Sequence, residues 1–405
     1  MKKNAMNRMK IWKKLLALCA ALMLCMSVPA AMAETGAAKL NAEELFSDRD
    51  LAQTPDLTDA VTYTVKTGED ITITESGVYV LTGSAQNVTV YVEAGDKDKV
   101  QLVLDNVTIT NGDFPCIYVK SADKVFITTV SDSALSVTGS FRKDGSVNTD
   151  GVIFSKSDLT LNGTAALTVS STDNGVVCKD DLKITGGTYQ ITAASKAIEA
   201  NDSIRIKDGT LVLKAGTDAL HAENEDDDTL GYVYIGGGSL TITAGDDGIH
   251  ANSLVQIDGG TLEITAAEGI EGTYIQINGG KITIKASDDG INAAQKSGAY
   301  RATVEFNGGD VSISMGAGDT DGVDSNGDIY VNGGTISVTG NSTFDYDGNG
   351  VINGGTVIAN GQQVSTLPNQ FMGSGGFGGG GWGGQGGFGG PGGSGFGGGR
   401  GGWGR

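Results

Sequence analysis

"SLTITAGDDGIHANSLVQIDGGTLEITA", Ser239 to Ala266, is the stretch that decides the fold. Apolar and polar residues alternate on both sides of its Gly-Gly pair, as Val255 and Ile257 before it and Leu262 and Ile264 after it illustrate. Alternation with a period of two predicts short β-strands with one buried face. Gly-Gly and Asp-Gly pairs supply the positive φ angles that tight corners require. The stretch therefore predicts short strands joined by tight corners.

The same phrase recurs along the chain as I-x-I-x-G-G-x-I-x-I-x-A-x-x-D-G-I-x-A, with variations. Successive copies are 20 to 29 residues apart, and the two longest intervals contain the insertions "ENEDDDTLGY" and "QKSGAY". A repeat of this length with two or three strands is typical of one turn of a parallel β-helix, whereas a β-sandwich does not repeat at a fixed period. We therefore predict an all-β solenoid. Each copy has a Gly-Gly pair or, in one copy, an Asp-Gly pair. The last residues of these pairs are Gly187, Gly209, Gly238, Gly260, Gly280, Gly309, Gly334 and Gly355.

The two histidines of the chain, His221 and His250, each follow an aspartate by three residues. Equivalent residues in successive coils of a β-helix lie about 4.8 Å apart, so the histidines are predicted to be neighbours. Aligning the coils on D-G-I predicts a first column of Asp150, Asn174, Lys196, Asp218, Asp247, Glu268, Asp289 and Asp321. The second column, three residues later in each coil, contains Glu199, His221, His250, Glu271, Asn292 and Asp324.

The acidic character of these columns indicates cation binding, because carboxylates stacked about 5 Å apart repel one another. The phrases "DTDGVDSNGD" and "DYDGNG" alternate oxygen-bearing side chains around glycine, and calcium takes about six to eight oxygen ligands. Two alternatives remain open: solvated Asp-Gly turns, and a transition metal at the two histidines with Asp218 and Asp247. The predicted Ca²⁺ ligands are Asp218, Asp247, Asp289, Asp319, Asp321, Asp324, Asn326, Asp328, Asp345, Asp347 and Asn349.

A ladder of asparagines precedes the glycine pairs of four successive coils, at Asn278, Asn307, Asn332 and Asn353. Asparagine tolerates the left-handed conformation, and stacked amides can hydrogen-bond from coil to coil. We predict a structural role for this ladder.

The two ends of the chain differ from the repeats. A basic start, an apolar run and "AMA" at residues 31–33 predict a cleaved signal peptide over residues 1–33, hence export to the extracellular space or cell surface with no membrane span. We predict a leader or cap over 34–49, the β-helix over 50–365 and a disordered glycine- and aromatic-rich tail over 366–405. The tail is either a flexible extension or a segment for binding wall polymer or for self-association.

Net charge limits the kinds of partner that the chain can bind, and the positions of the cysteines predict their redox state. The net charge of −20 becomes −26 once the signal peptide and its six cations are removed, which argues against binding nucleic acid or anionic lipid. An acidic surface suits cations, or an anionic partner bridged by cations. Cys116 and Cys178 fall in coils that are not adjacent, so we predict free, buried thiols.

Five phrases follow one another along the chain: "YVLTGSAQNVTVYVEAGDKDKVQLVLDNVTIT", "DGIHA", "DGINA", "DGVDSNGDIYVNGG" and "DYDGNGVINGGTVIANG". In these phrases and in their order the chain resembles a group of exported bacterial, largely clostridial, carbohydrate-binding β-helix proteins. The resemblance covers nearly all of residues 45–365. It implies a right-handed parallel β-helix, bound calcium ions, affinity for cellulose and acidic sugars, and a structural likeness to pectate-type polysaccharide lyases.

The expected function is therefore that of a secreted, calcium-binding protein that recognises plant cell-wall polysaccharide, either cellulose or acidic sugars such as polygalacturonate. A calcium-dependent polysaccharide lyase is one alternative, because such a lyase needs calcium and a basic side chain, for which Lys196 is a weak candidate. A structural or adhesive surface protein is another. Whether the chain is an enzyme stays open at this point.

Two sets of residues are candidates for holding sugar. Tyr234 and Tyr330 are predicted on an outward face, with Gln256, Gln276 and Glu305 on the coils between them, where rings could stack on sugars and polar groups could take up hydroxyls. An acidic sugar is expected instead where calcium or a cationic side chain offsets its charge. The second set of substrate-binding candidates is Lys196, His221 and His250.

Overall fold

The computed structural model describes residues 38–318 and 320–369, which form a parallel β-helix of 34 strands with one short helix, α1 (Asp48–Leu51). The predictions for the signal peptide, for Asp319 and for residues 370–405 of the tail fall outside these described residues. The predicted start of the disordered tail at residue 366 is wrong, because Leu367 is buried and the side-chain amide of Asn369 donates to the backbone carbonyl of Tyr346. The strands run from β1 to β34 in chain order and make three sides, called sheets 1, 2 and 3 below. The predicted β-helix is confirmed.

Four long strands bend at a corner and contribute to two sheets. Sheet 1 contains β2 (Ile71–Ile73), β4 (Val90–Glu93), β6 (Ile117–Ser121), β9 (Gly151–Ser155), β12 (Asn174–Cys178), β15 (Ile198–Ala200), β18 (Leu220–Ala222), the first parts of β21 (Asp247–Ile257) and β23 (Glu268–Ile277), β25 (Ile291–Ala293), β28 (Asp321–Ser325) and β31 (Ser342–Tyr346).

Sheet 2 contains β1 (Val61–Thr64), the first parts of β3 (Gly77–Gln86) and β5 (Lys99–Asn111), β7 (Lys124–Thr129), β10 (Asp158–Gly163), β13 (Asp181–Ile184), β16 (Ser203–Ile206), β19 (Tyr232–Ile235), the second parts of β21 and β23, β26 (Thr303–Phe306), β29 (Asp328–Val331) and β32 (Gly350–Ile352).

Sheet 3 contains the second parts of β3 and β5, β8 (Ser133–Val137), β11 (Ala166–Ser171), β14 (Thr188–Ala193), β17 (Thr210–Ala215), β20 (Ser239–Thr243), β22 (Thr261–Ala266), β24 (Lys281–Ala286), β27 (Asp310–Met315), β30 (Thr335–Thr339), β33 (Thr356–Ala359) and β34 (Gln362–Val364). Its final pair, β33 with β34, is antiparallel.

The core is a continuous column of apolar side chains along the axis of the β-helix. Val255, Ile257, Leu262 and Ile264, which alternate in the opening stretch, are all buried in it. Burying each such side chain contributes about 1.5–3 kcal/mol, so the repeated alternation supplies the main stabilisation of every coil.

The glycine pairs make corners that no other residue fits. Gly260 has a φ of +95°, and a Cβ placed on it would lie 3.0 Å from the carbonyl oxygen of Gly238 in the preceding coil. Backbone conformation and the close approach of the coils therefore both require glycine there.

The asparagine ladder forms the predicted hydrogen bonds. The side-chain amide of Asn307 donates to Asn278 at 2.8 Å, Asn332 donates to Asn307 at 2.7 Å, and Asn353 donates to Asn332 at 2.8 Å. The left-handed conformation is not used, because the described non-glycine residues with positive φ are elsewhere. They are Asn87, Asn106 and Asn360.

An N-terminal strap, residues 39–53, lies along sheet 2 on the side of the β-helix. The Lys39 amide donates to Gln276 Oε1 at 3.1 Å, and the Leu40 amide donates to Gln256 Oε1 at 2.7 Å. The ring of Phe46 then packs on Tyr234, with 6.1 Å between centroids. The predicted leader is therefore a side cover that crosses several coils.

The far end of the strap is fixed by Asp50, which follows the helix N-cap Ser47 and is fully buried. Its carboxylate lies 2.8 Å from Lys124 Nζ and 3.4 Å from Lys183 Nζ, and it accepts a hydrogen bond from Thr160. Burial opposes ionisation of Asp50, but these partners outweigh it and hold its pKa well below the usual range.

Cys116 and Cys178 are free and buried, as predicted. Burial raises the pKa of the Cys116 thiol to about 12, so this thiol is unreactive. In the part of the chain that the structure describes, no helix has the length and apolarity needed to cross a membrane.

Candidate functional site

Sheet 1 brings both predicted columns together in the predicted register from Asn174 onward. The first step is wrong by one residue, because Asn174 pairs with Gly151 and not with Asp150. Glu199 pairs with His221, His221 with His250, and His250 with Glu271. The column continues through Asn292 and Asp324, and Asp345 extends it by one coil. We call the two columns from Asp218 to Asp345 the charged ladder.

The two histidines stack face to face, with 4.6 Å between ring centroids and 17° between planes. Each ring is oriented by the aspartate three residues before it. The Nδ1 atom of His221 lies 2.8 Å from Asp218, and that of His250 lies 2.7 Å from Asp247. The repeated D-x-x-H phrase thus builds two Asp–His pairs in adjacent coils.

His250 also lies 2.8 Å from Glu271, so one imidazole joins two buried carboxylates. Burial lowers the pKa of His250, but the hydrogen bonds to Asp247 and Glu271 dominate and raise it to about 9. Burial opposes ionisation of Glu271, yet His250 and Lys296, at 2.8 Å, hold its pKa below the usual range. Ligand atoms of Asp247, His250 and Glu271 lie within 4.8 Å of one another.

Beyond Glu271 the ladder becomes a crowd of carboxylates. Burial, reinforced by the charges of Asp289, Asp321 and Asp345, raises the pKa of Asp324 to about 7. Burial and the charge of neighbouring acids raise the pKa of Asp289 to about 6. Negative charge is therefore poorly compensated at this end of sheet 1.

This end fits a hard divalent cation. Asn292 lies between the acidic coils, and its Oδ1 atom is buried without a hydrogen-bond partner while its Nδ2 donates to Glu268. A buried, unpartnered oxygen among carboxylates of raised pKa is the donor set that Ca²⁺ prefers over zinc. The alternative interpretation, that these aspartates serve Asp-Gly turns, is also supported in part. Asp289 accepts a hydrogen bond from the backbone amide of Asp321 at 3.0 Å.

The alternating oxygen-bearing side chains of the two acidic phrases suggest that each phrase surrounds one calcium ion, but the described ones do not gather at one place. Asp328 lies on sheet 2, where it accepts hydrogen bonds from Arg301 and from Asn349. Asn326 and Asp347 are exposed at corners. The loop arrangement is therefore wrong, because consecutive side chains of a β-helix point to different sides and the oxygens that converge come from successive coils.

A polar cleft of about 300 Å³ lies beside the charged ladder. Lys179 Nζ lies 2.6 Å from one carboxylate oxygen of Glu199, and Lys196 Nζ lies 3.3 Å from the other. The ring of His221 forms another wall, and its Nε2 lies 3.2 Å from the exposed Glu223. Two lysines and one histidine thus converge in a cleft that is also lined by the acidic residues Glu199, Glu223, Glu225 and Asp226.

The predicted open face at Tyr234 is wrong. Its residues do stack in register, but Tyr234 is 1% exposed, and Gln256, Gln276 and Glu305 are fully buried. Backbone amides of the strap donate hydrogen bonds to the side chains of Gln256 and Gln276 and so cover them. The alternation of apolar and polar residues cannot reveal this cover. Tyr330 is half-buried at the end of this column.

Two basic residues of the site were missed by the sequence analysis, Lys179 and Lys296. Both lie in connections between strands, where the repeat supplies no alignment. The insertion "QKSGAY" that contains Lys296 was visible, and an inserted cation next to an acidic column was the available signal.

A family profile matches more than half of this chain. The profile of the family described as carbohydrate-binding domain-containing protein matches residues 67–322. A protein of that description from Acetivibrio thermocellus is 33% identical over 129 residues, which are 31% of this chain and 45% of that protein, so the match spans less than half of the relative. The solved structure of a polysaccharide lyase-like protein from C. thermocellum, a gadolinium derivative, aligns at 22% identity over 77% of this chain and 97% of that chain, with a TM-score of 0.43.

Proposed function

Because the chain belongs to the family of carbohydrate-binding domain-containing proteins, we propose that it is an exported protein that binds acidic plant cell-wall polysaccharide with the help of calcium. The observation that carries the proposal is the composition of sheet 1. Two lysines and a histidine stand among acidic residues in a cleft, and beside it lies a crowd of carboxylates that lacks compensating charge.

The cleft suits a sugar carboxylate. Lys179 and Lys196 share one acidic partner, Glu199, and a uronate entering the cleft would add a second anion between them. Charge-assisted hydrogen bonds from ammonium groups to carboxylate are among the stronger polar contacts in proteins. The ring of His221 forms another wall of the same cleft.

Calcium would act at the neighbouring coils. Asp289, Asp321 and Asp324 would hold it with Asn292, and the ion would supply positive charge that bridges these carboxylates to further uronates of the same polymer. Successive coils are about 4.8 Å apart, so a polymer lying along the sheet meets cleft and ion in turn. The same polymer would be repelled by the ladder without the ion.

Affinity electrophoresis through polygalacturonate tests the proposal. We expect the mature protein to be retarded in calcium and released by a chelator. Lys196→Gln should weaken retardation, whereas Lys207→Gln, which removes an exposed lysine outside the cleft, should not. Retardation that is equal for both variants would contradict the cleft, and no retardation with calcium would favour a structural or adhesive protein.

A second candidate function is β-elimination on the same polymer, favoured by the Asp218–His221 pair. The Nε2 edge of His221 lies at the cleft, 3.2 Å from the exposed carboxylate of Glu223. Once Glu223 moves aside, the ring would be placed to remove the proton beside the uronate carboxylate. Lys196, the candidate from sequence, is paired with Glu199. Unsaturated product would raise ultraviolet absorbance, and His221→Gln should abolish that rise. A flat absorbance trace with retained binding identifies a binding module.

A further inference from the structure

The outward face of sheet 3 carries a regular array of hydroxyl groups. Across β14, β17, β20, β22, β24, β27 and β30 the pairing is parallel and has no register shift, so outward side chains align in three columns. The columns are Thr188, Thr210, Ser239, Thr261, Lys281, Asp310 and Thr335; Gln190, Val212, Thr241, Glu263, Thr283, Ser312 and Ser337; and Thr192, Lys214, Thr243, Thr265, Lys285, Ser314 and Thr339.

Fourteen of these twenty-one positions are serine or threonine. The charged ones are three lysines and two acids, so the array has a net charge of +1 in a chain of −20. The array is thus close to neutral on an otherwise acidic protein, and its chemistry favours an uncharged partner rich in hydroxyl groups. The charged residues are Lys214, Lys281, Lys285, Glu263 and Asp310.

The size and shape of the array suit a broad surface. Seven strands spaced by about 4.8 Å and side chains that repeat every second residue give an area of about 29 by 13 Å. β-branched threonine has few rotamers, so its hydroxyl is already ordered before binding. Many weak, preorganised contacts would add up over such an area.

The two edges of the array are a shallow groove and a row of glycines. Along one edge runs a shallow groove of about 450 Å³ whose lining includes Ala244, Ala267, Ala286 and Met315. The other edge is lined by glycines, among them Gly238, where a Cβ would lie 2.7 Å from the carbonyl oxygen of Gly209. The grooved edge offers apolar ground for the CH faces of sugar rings, and the glycine edge carries no side chain that would hold a flat partner away.

From these features we infer that the hydroxyl array of sheet 3 is a second polysaccharide-binding surface, which takes the flat face of an uncharged, insoluble polysaccharide. The inference rests on the proposed function, because it assigns a further polymer to the same protein. It concerns a different sheet and a different chemistry, since neither calcium nor a cationic cleft is involved.

Preference for an insoluble polymer follows from the three columns. A single dissolved chain can lie along one column, whereas the face of an ordered polymer meets all three at once. Binding at all three columns gains from multivalency, because each further contact forms without a new loss of translational freedom.

Adsorption to microcrystalline cellulose tests the inference, with the mature protein and a triple variant in the central column, Thr241→Lys, Thr283→Lys and Ser312→Lys. Long side chains would hold a flat partner off the array, and we expect the apparent affinity to fall by about tenfold or more. Thr241→Ser, Thr283→Ser and Ser312→Thr, which keep the hydroxyls, should adsorb like the parent.

A charge-matched control places the three lysines at exposed positions outside the array, Thr74→Lys, Ser76→Lys and Ser140→Lys. It should keep parental adsorption, and all variants should keep calcium-dependent retardation in polygalacturonate. Parental adsorption by the folded array variant, or absence of adsorption by the parent while polygalacturonate still retards it, would overturn this inference and leave the proposed function standing. A parent that binds neither polymer would contradict both.

Discussion

His250 contacts two buried carboxylates at once, and its removal is predicted to destabilise the fold. His250→Gln leaves Asp247 without a cation and leaves Glu271 with Lys296 alone, so the free energy of unfolding at neutral pH should fall by about 3 kcal/mol. Urea denaturation measures the loss. His221→Gln is the matched control and should cost less, because His221 contacts one buried acid and one exposed acid. A larger loss for His221→Gln would contradict this account.

The pH dependence of the same interaction has a definite sign. The pKa of His250 is raised to about 9 in the folded state, against about 6.5 in an unfolded chain. Its stabilising contribution is therefore fully present below about pH 6.5 and is lost as the pH rises through about 9. The difference in stability between the parent and His250→Gln should shrink accordingly between those values.

Asp324 gives a pH trend of the same sign in a lower pH window, because its charged form is disfavoured in the fold. Burial and neighbouring acids raise its pKa to about 7, above the unfolded value of about 3.9. The folded state therefore binds the extra proton, and without calcium stability should fall as the pH rises between these two values. Asp324→Asn should flatten that fall and also remove part of the calcium effect. Melting curves in chelator and in calcium test both, and an unchanged pH profile in the variant would count against the assignment.

At the scale of single elements, the strap is predicted to depend on Asp50. Asp50→Ala leaves Lys124 and Lys183 buried without their shared acid, which should cost about 3–5 kcal/mol. The exposed Asp48→Ala, in the same helix, is the control and should cost about 1 kcal/mol or less. Limited proteolysis within residues 39–53 reports whether the strap has left sheet 2. Equal resistance of the two variants would show that the ion pairs do not anchor it.

The lowered pKa of Asp50 also sets a direction with pH. A carboxylate whose pKa is depressed on folding contributes stability above its unfolded pKa of about 3.9, and that contribution is lost as the pH falls below this value. Strap release in acid should therefore precede unfolding of the coils beneath it. Hydrogen exchange of residues 39–53 at low pH would follow this step.

Tyr234 is now predicted to stabilise the strap. Tyr234→Ala removes a fully buried ring that packs on Phe46, so it should cost about 3 kcal/mol or more. Binding to either polysaccharide should stay at the parental level once the protein is folded. A folded Tyr234→Ala protein with weaker cellulose adsorption would restore the original sugar-binding interpretation of this residue.

At the scale of the whole molecule, calcium should stabilise one part of the β-helix more than the rest. Coils interact with their neighbours only, so an ion held by Asp289 and Asp324 acts mainly on nearby coils. At a hundredfold excess over its dissociation constant the ion would add about 2.7 kcal/mol. Hydrogen exchange should show greater added protection across residues 280–350 than across residues 60–160. Equal protection along the chain, or none, would argue against a local site.

The sequence by itself determined the β-helix, the glycine corners, the asparagine ladder and the order of both columns in sheet 1. It could do so because a solenoid stacks equivalent residues in register, and the spacing of one repeat therefore fixes which side chains become neighbours. Even the pairing of His221 with His250, 29 residues apart in the chain, follows from that rule.

Only the tertiary structure decided which outward columns stay exposed and which basic side chains reach the ladder. The contact of Lys39 with Gln276 joins residues 237 positions apart, and no repeat relates the two. Lys179 and Lys296 act from connections, where the chain is free to differ from coil to coil. Periodicity describes the side chains of each coil, but burial depends on what the rest of the chain lays over them, and that is set by packing free energy across the whole molecule.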